Sequence, residues 1–214
     1  MAKLVKSSRS YDSSRRQTQA RQTQLAVVRA AQEQFLQNGY GGTTMAEIAR
    51  AAEVSVETVY AAFGTKAALL HRVWDITVGG DDQDVLFHDR PEAQAVRAEP
   101  DLARRFVLHA RVSAHTATRI GPFRLMVQAA AAAEPAAAEM VAEMDRQRYE
   151  GMRVMAAAAA ATGQLAVSEE ECRDVLWATT DGTLWHALVS GRGWTDERFA
   201  TWLGQLWTRM LVRT

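Results

Sequence analysis

Cysteine is almost missing from this chain, with Cys172 the only one in 214 residues. An internal disulfide is impossible, and so are Cys-x-x-Cys redox and four-cysteine zinc patterns. Nothing in the chain requires an oxidising compartment. The 13 Gly and 4 Pro carry no collagen-like or disordered bias. No run of 18 apolar residues occurs. The Ala-rich stretch from Val127 to Val141 is interrupted by Gln128, Glu134, Pro135 and Glu139, which excludes a membrane span there. The segment Met1 to Gln17 is polar and basic with no apolar run behind it, so it does not read as a secretory signal. A soluble, cytoplasmic protein is expected. Catalytic signatures are missing too: there is no Gly-x-x-x-x-Gly-Lys, Gly-x-Gly-x-x-Gly, Gly-x-Ser-x-Gly, His-Glu-x-x-His or Glu-x-x-His. His71, His88, His109, His115 and His186 show no metal-ligand spacing. The expectation is therefore no enzyme, no metal and no cofactor.

What is present is a charge asymmetry. The 25 Lys+Arg and 25 Asp+Glu cancel over the whole chain. Residues 1–72 nevertheless hold ten bases against five acids, and the remaining 142 hold 15 bases against 20 acids. The basic part suits a polyanion and the acidic part avoids one. Uneven scatter of surface charge is the alternative.

Hydrophobic periodicity predicts an all-α protein of about nine helices with no strand. Residues 1–19, rich in Ser, Arg and Lys, read as a flexible basic arm. Leu25, Val28, Ala31 and Phe35 then mark one helical face, stopped by Asn38-Gly39. Thr44 caps a short helix, Met45–Ala52, with Glu47 as its capping-box partner. Ser55 caps a second, Val56–Phe63, and Lys66 opens a fourth helix reaching to about Val78. Residues 79–100, acidic with Pro91 and Pro100, read as a connector and domain boundary. Further helices are expected over Leu102 to Arg119, with a break at Gly121-Pro122, and over Phe123 to Ala133. Others are expected from Glu134 to about Ala161, over Ser168–Ser190 and over Thr195–Val212. The division is an arm over 1–19, a domain of short helices over 20–78 and a helical-bundle domain over 79–214.

The segment TTMAEIARAAEVSVETVYAAFGTKAALL, from Thr43 to Leu70, places two short capped helices around a tight turn. Ala49 is small where the helices must cross. Ile48, Val54 and Val59 are spaced to fill the wedge between them, with Phe63 and Leu25 beneath. This is the helix-turn-helix pattern, in which a rigidly held second helix projects its N-terminal end into a groove. Two helices that merely pack are the bland alternative, because caps at Thr44 and Ser55 occur in any helical protein.

Thr44, Ile48-Ala49, Ala52, Val54-Ser55, Thr58, Tyr60, Phe63, Lys66 and Leu69 together resemble the tetracycline-repressor (TetR) family of bacterial transcriptional regulators. The resemblance is close from Arg21 to Val73 and extends beyond that only in length and helical layout. It implies DNA contacts from Arg21, Thr43, Thr44, Ser55, Val56, Glu57, Thr58, Tyr60 and Lys66. Thr44 and Lys66 would meet phosphates, and Ser55, Thr58 and Tyr60 would lie at the reading end. Val56 suits a thymine methyl and Glu57 a cytosine amino group. Glu53 departs from the family, which often has Gly there. The reading helix also lacks Lys and Arg, so phosphate attraction falls to Lys66, Arg21, Arg50 and the arm.

For the second half, the resemblance implies a bundle that holds a small ligand and dimerises through its last two helices. Helices 168–190 and 195–212 carry Trp177, Trp185, Trp202 and Trp207, and Phe199, Leu203, Leu206 and Met210 form a seam. That seam suits a homodimer interface or the monomer's own core. Phe106, His109, Phe123, Met126, Met152, Met155, Trp177 and Asp181 are candidate ligand-lining residues. A Met or aromatic at such a position is more often plain core; Asp181, beside Gly182 amid apolar residues, is the most suggestive polar position and also suits solvent or a partner arginine. The expected function is a homodimeric, ligand-responsive regulator of double-stranded operator DNA, a repressor released by a small, largely apolar effector. The alternative is a small-molecule sensor or interaction protein with vestigial DNA contacts.

Overall fold

The computed structural model describes residues 8–80 and 89–213. Ten α-helices make up the described chain: α1 Ser8–Asn38, α2 Met45–Ala51, α3 Val56–Phe63, α4 Lys66–Gly79, α5 Pro91–Ala98, α6 Leu102–Ala130, α7 Pro135–Ala160, α8 Glu169–Thr179, α9 Thr183–Trp185 and α10 Asp196–Leu211. A π turn, His186–Ser190, follows α9 directly. Among the described residues there is no strand, only one antiparallel bridge between Leu165 and Val212. The fold is all-α, as expected. Two compact units divide the chain, Met1–Val73 and Trp74–Thr214, and α4 runs through the boundary.

In the first unit the core is Val27, Val28, Ala31, Phe35, Ile48, Val59, Leu69, Leu70 and Val73, all at most 2% exposed. The N-terminal boundary differs from expectation. Residues 8–19 are not a separate arm but the first turns of α1, while residues 1–7 lie outside the described residues. The stretch from Ser8 to Asn38 contains no Gly or Pro and is rich in Gln, Arg and Ala, so nothing local interrupts the helix. Gly39, at φ +73°, ends it.

The second unit packs α10 along α6, and α8 along α7. Its core gathers Leu102, Phe106, Ala156, Leu176, Leu203 and Trp207. Buried Arg105 staples the chain before α6 to α7, donating from Nε to the Glu99 carbonyl at 2.7 Å and from Nη1 to the Ala158 carbonyl. Gln164 closes the same end, accepting from the Leu102 N–H and donating to the Pro100 carbonyl.

Three further boundaries depart from the sequence pattern. The connector holds α5, opened by Pro91 at its first position, where a missing N–H costs nothing. Residues 81–88 lie outside the described residues. The expected break at Gly121-Pro122 is absent, and α6 is continuous. A proline inside a helix costs about 3 kcal/mol. Here the flanks are buried, with Trp185 packed over Gly121 and Phe123 fully enclosed, and that packing outweighs the lost hydrogen bond. The helix expected over 168–190 is instead α8, a kink, α9 and the π turn. Gly182 sits at φ +86° with its Cα face against the Gly121 backbone, and that close approach bends the chain. The spacing of Val175, Leu176, Thr179, Gly182 and Trp185 runs evenly across the kink and conceals it.

Candidate functional site

In the first unit, α2 is closed at its start by a full capping box. The Thr44 hydroxyl accepts from the Glu47 N–H at 3.2 Å, and Glu47 Oε2 accepts from the Thr44 N–H at 2.8 Å. The Thr44 hydroxyl also donates to Glu47 Oε2 at 2.8 Å, and that bond, followed by the one from the Thr44 N–H, holds the Glu47 carboxyl below its usual range. At the other end the Glu53 N–H donates to Arg50 and the Val54 N–H to Ala49. That is a Schellman stop, and Glu53 takes φ +56° where glycine is favoured. Ser55 then caps α3, accepting from the Thr58 N–H at 3.1 Å. The Ser55 and Thr58 hydroxyls are 3.0 Å apart. The first-turn N–H of Glu57 and the Ser55 hydroxyl lower the Glu57 carboxyl as well. Ile48 and Val59 are fully buried between the helices, as expected, and Val54, Phe63 and Leu25 are half-buried.

The outer face of α3 therefore presents Ser55, Glu57, Thr58 and Tyr60, with Tyr60 51% exposed and Val56 half-buried. Arg21 on α1 is exposed. Two of the predicted contacts turn inward. Thr43 is 1% exposed, and its hydroxyl donates to carbonyls of Gln34 and Gly39. Lys66 is half-buried, its Nζ donating to the carbonyls of Tyr40 and Thr43. A DNA contact through the Thr43 hydroxyl does not fit this burial, which encloses the hydroxyl inside the α1–α2 turn.

In the second unit the eight candidate ligand residues separate into groups. Phe106 and His109 both face Trp207, with ring centroids 6.2 and 5.1 Å away. Met152 and Met155 belong to the same core. His109 is buried, burial pushes its imidazole down to about 4, and its Nδ1 has no hydrogen-bond partner. Phe123 stacks on Trp74, and Met126 is half-buried. Asp181, two residues before α9, accepts from the N–H and the hydroxyl of Thr183. Trp177 lies beneath Arg148, whose guanidinium carbon is 4.5 Å from the ring centroid. An open groove of about 490 Å³ between α6 and α10 touches none of the eight; Ala103, Val107, Leu108, Arg104, Arg111 and Arg209 contribute to its walls.

The sequence pattern missed Arg124, Asp145 and Arg148. Arg124 is 7% exposed, and it and Arg148 both donate to Asp145 Oδ1, at 2.8 and 2.9 Å. Burial, and then the adjacent Arg124, push the Arg148 guanidinium below its ordinary value against the pull of Asp145 and Asp181. The available signal was an arginine next to Phe123 on the apolar side of α6. Cys172 is buried, and burial pushes its thiol up to about 12, so it is inert as a thiolate. Among the described residues no group of three His, Cys, Asp or Glu is placed to hold a metal, and no helix is long and apolar enough to cross a membrane.

A tight pair of capped helices over a small core defines the first unit as a helix-turn-helix domain, joined to a helical bundle. Residues 27–73 match the family described as bacterial regulatory proteins, tetR family. The fold of the whole chain is shared with solved structures of low identity. One is SmeT in complex with triclosan, 19% identical over 89% of this chain and 92% of that one, TM-score 0.67. Another is NalD, the secondary repressor of the MexAB-OprM multidrug efflux pump in Pseudomonas aeruginosa, 20% identical over 90% and 98%, TM-score 0.60. A third is PfmR, a TetR-family transcriptional regulator from Thermus thermophilus, 17% identical over 88% and 99%, TM-score 0.60. No curated protein matches the chain.

Proposed function

We propose that this chain is a homodimeric, effector-responsive repressor that acts on operator DNA in the cytoplasm, a regulator and not a catalyst. The observation that carries the reading is α3: Val59 anchors it in the core while Glu57, Thr58 and Tyr60 are left exposed beside Ser55. In this reading residues 20–78 read DNA, with residues 1–19 adding charge, and residues 79–214 bind effector and dimerise. Ser55, Val56, Glu57, Thr58 and Tyr60 face the major groove, and Arg21 and Thr44 meet phosphates. Thr43 and Lys66 hold the α1–α2 turn that sets the height of α3.

Helices α8 to α10 form the partner surface. Met210 is 49% exposed, and Trp202 and Leu206 are half-buried on the outward side of α10, an apolar stripe that supports pairing of two copies. Two copies place their reading helices on half-sites about 34–36 Å apart. An effector that binds the DNA-free arrangement better releases the operator. That SmeT is solved with triclosan, and that NalD is a repressor, supports a small, largely apolar effector and the repressor sense. The alternative, a sensor with vestigial DNA contacts, is favoured by one observation: α3 carries no Lys or Arg.

Fluorescence anisotropy with duplex DNA from upstream of the chain's own gene separates the two. The repressor reading expects specific binding by a dimer, at least tenfold weaker in Tyr60→Ala with unchanged thermal stability. Binding that ignores Tyr60 and DNA sequence overturns it.

A further inference from the structure

Two guanidinium groups, one buried and one largely buried, share one acceptor in the second unit. Arg124 on α6 and Arg148 on α7 each donate to Oδ1 of Asp145, and Arg148 also donates to the Trp177 carbonyl at 3.1 Å. Their side chains are only 8% and 13% exposed. The Nε of each is buried without a hydrogen-bond partner. Arginine offers five N–H donors in a fork matched to a carboxylate, and one carboxylate oxygen does not satisfy two such forks. The next acid, Asp181, acts on Arg148 through space, but its oxygens are engaged by Thr183. Donor capacity therefore exceeds acceptors where little water reaches, with the Trp177 ring lying against the Arg148 guanidinium.

Asp145 is the movable member. Its side chain is 36% exposed, far more than either arginine, so it can turn to water while they cannot. We propose that Arg124 and Arg148 form a binding site for the carboxylate of an organic acid with an apolar body, which displaces Asp145 as their shared acceptor. The coupling to regulation rests on the effector-responsive reading above. Gln147, two residues beyond Asp145, accepts from the Trp74 indole N–H at 2.9 Å, and Trp74 stacks on Phe123. Arg119 of α6 donates to the carbonyls of Thr77 and Val78 at the end of the same helix, α4. Release of Asp145 thus disturbs the turn of α7 that holds α4.

The first test needs no knowledge of the effector. In the full chain, Asp145→Ala removes the internal acceptor, and acetate should then raise the melting temperature saturably by several degrees over chloride at equal ionic strength. The rise should vanish in Arg124→Met/Asp145→Ala, while Asp145→Asn, which keeps the shape, controls for loss of folding. No acetate-specific rise in Asp145→Ala overturns the proposal. The second arm titrates tryptophan fluorescence with hexanoate, octanoate, decanoate and benzoate, each against its amide. At least one acid should bind more than tenfold tighter than its amide, and lose that advantage in Arg148→Met. Amides that bind as well as acids overturn the site. Release of DNA by the amides alone also overturns it while leaving the repressor reading intact. Acids that bind through the arginines in a chain that binds no DNA support the site and refute that reading.

Discussion

The Lys66 ammonium donates to the Tyr40 carbonyl at 2.9 Å and stands 4.2 Å from the centroid of the same residue's ring. A second donation, to the Thr43 carbonyl at 3.1 Å, ties the first residue of α4 to the turn between α1 and α2. One side chain thus closes the three-helix unit. A hydrogen bond from a charged donor contributes about 1.5–3 kcal/mol. Lys66→Met should lower the stability of the full chain by roughly 2 kcal/mol, read by denaturant titration. A residue serving only as a phosphate contact would leave the midpoint where it was.

Glu53 takes φ +56° in the stop between α2 and α3. A side chain in this region costs about 1–2 kcal/mol that glycine does not incur. The Schellman bonds come from backbone N–H groups and survive the substitution. Glu53→Gly should therefore stabilise the chain by about 1 kcal/mol, seen as a higher urea midpoint with an unchanged slope. A lower midpoint would show that the Glu53 side chain contributes more than the strain it brings.

His109 is held near a pKa of about 4, against 6.5 when free, because burial penalises its charged form. Between these values the unfolded chain binds a proton that the folded chain does not. The His109 contribution is thus complete above pH 6.5 and is lost as pH falls toward 4, by about 3 kcal/mol in all. Stability measured from pH 7 to 5 should fall in the wild-type chain and flatten in His109→Leu. Parallel curves would contradict the burial argument.

Glu47 is shifted the same way by its bonds to Thr44. As a depressed carboxyl it stabilises α2 fully above the ordinary value of 4.5, and the contribution disappears as pH drops through its lower folded value. The melting-temperature gap between wild type and Glu47→Gln should be present at neutral pH and close in strong acid. A gap independent of pH would mean that the substitution acts through shape and not through charge.

Helix α3 carries no Lys or Arg, so under the proposed function affinity for DNA should lean on α1 and on what precedes it. Deleting residues 1–16 removes Arg15 and Arg16, both exposed, together with Lys3, Lys6 and Arg9. The log–log dependence of DNA affinity on salt should flatten by about 1 for each phosphate that the deletion leaves unneutralised. An unaltered slope would place the electrostatic contacts elsewhere.

Much of the first unit was legible because its signals are short-range. A cap and its partner lie three residues apart, as Thr44 and Glu47 or Ser55 and Thr58 do, so type and order alone reveal them. Proline misled twice. Pro122 looked like a break but is carried inside α6 by the burial of Gly121 and Phe123, and Pro91 starts α5 where a connector was expected. The kink at Gly182 was hidden because its cause is a neighbour 61 positions earlier in the chain, the Gly121 backbone.

The amino-acid order by itself determined the all-helical content, the helix-turn-helix and the residues on the outer face of α3, because helix period, caps and turns are local physics. Only tertiary structure decided which charges meet. Lys66 turns inward to carbonyls 23 and 26 positions away, and Arg124 and Arg148 converge on one carboxylate from different helices. Such partners are selected by desolvation: once packing has excluded water, a buried donor must take whichever acceptor the fold has brought near, and no local pattern encodes that choice.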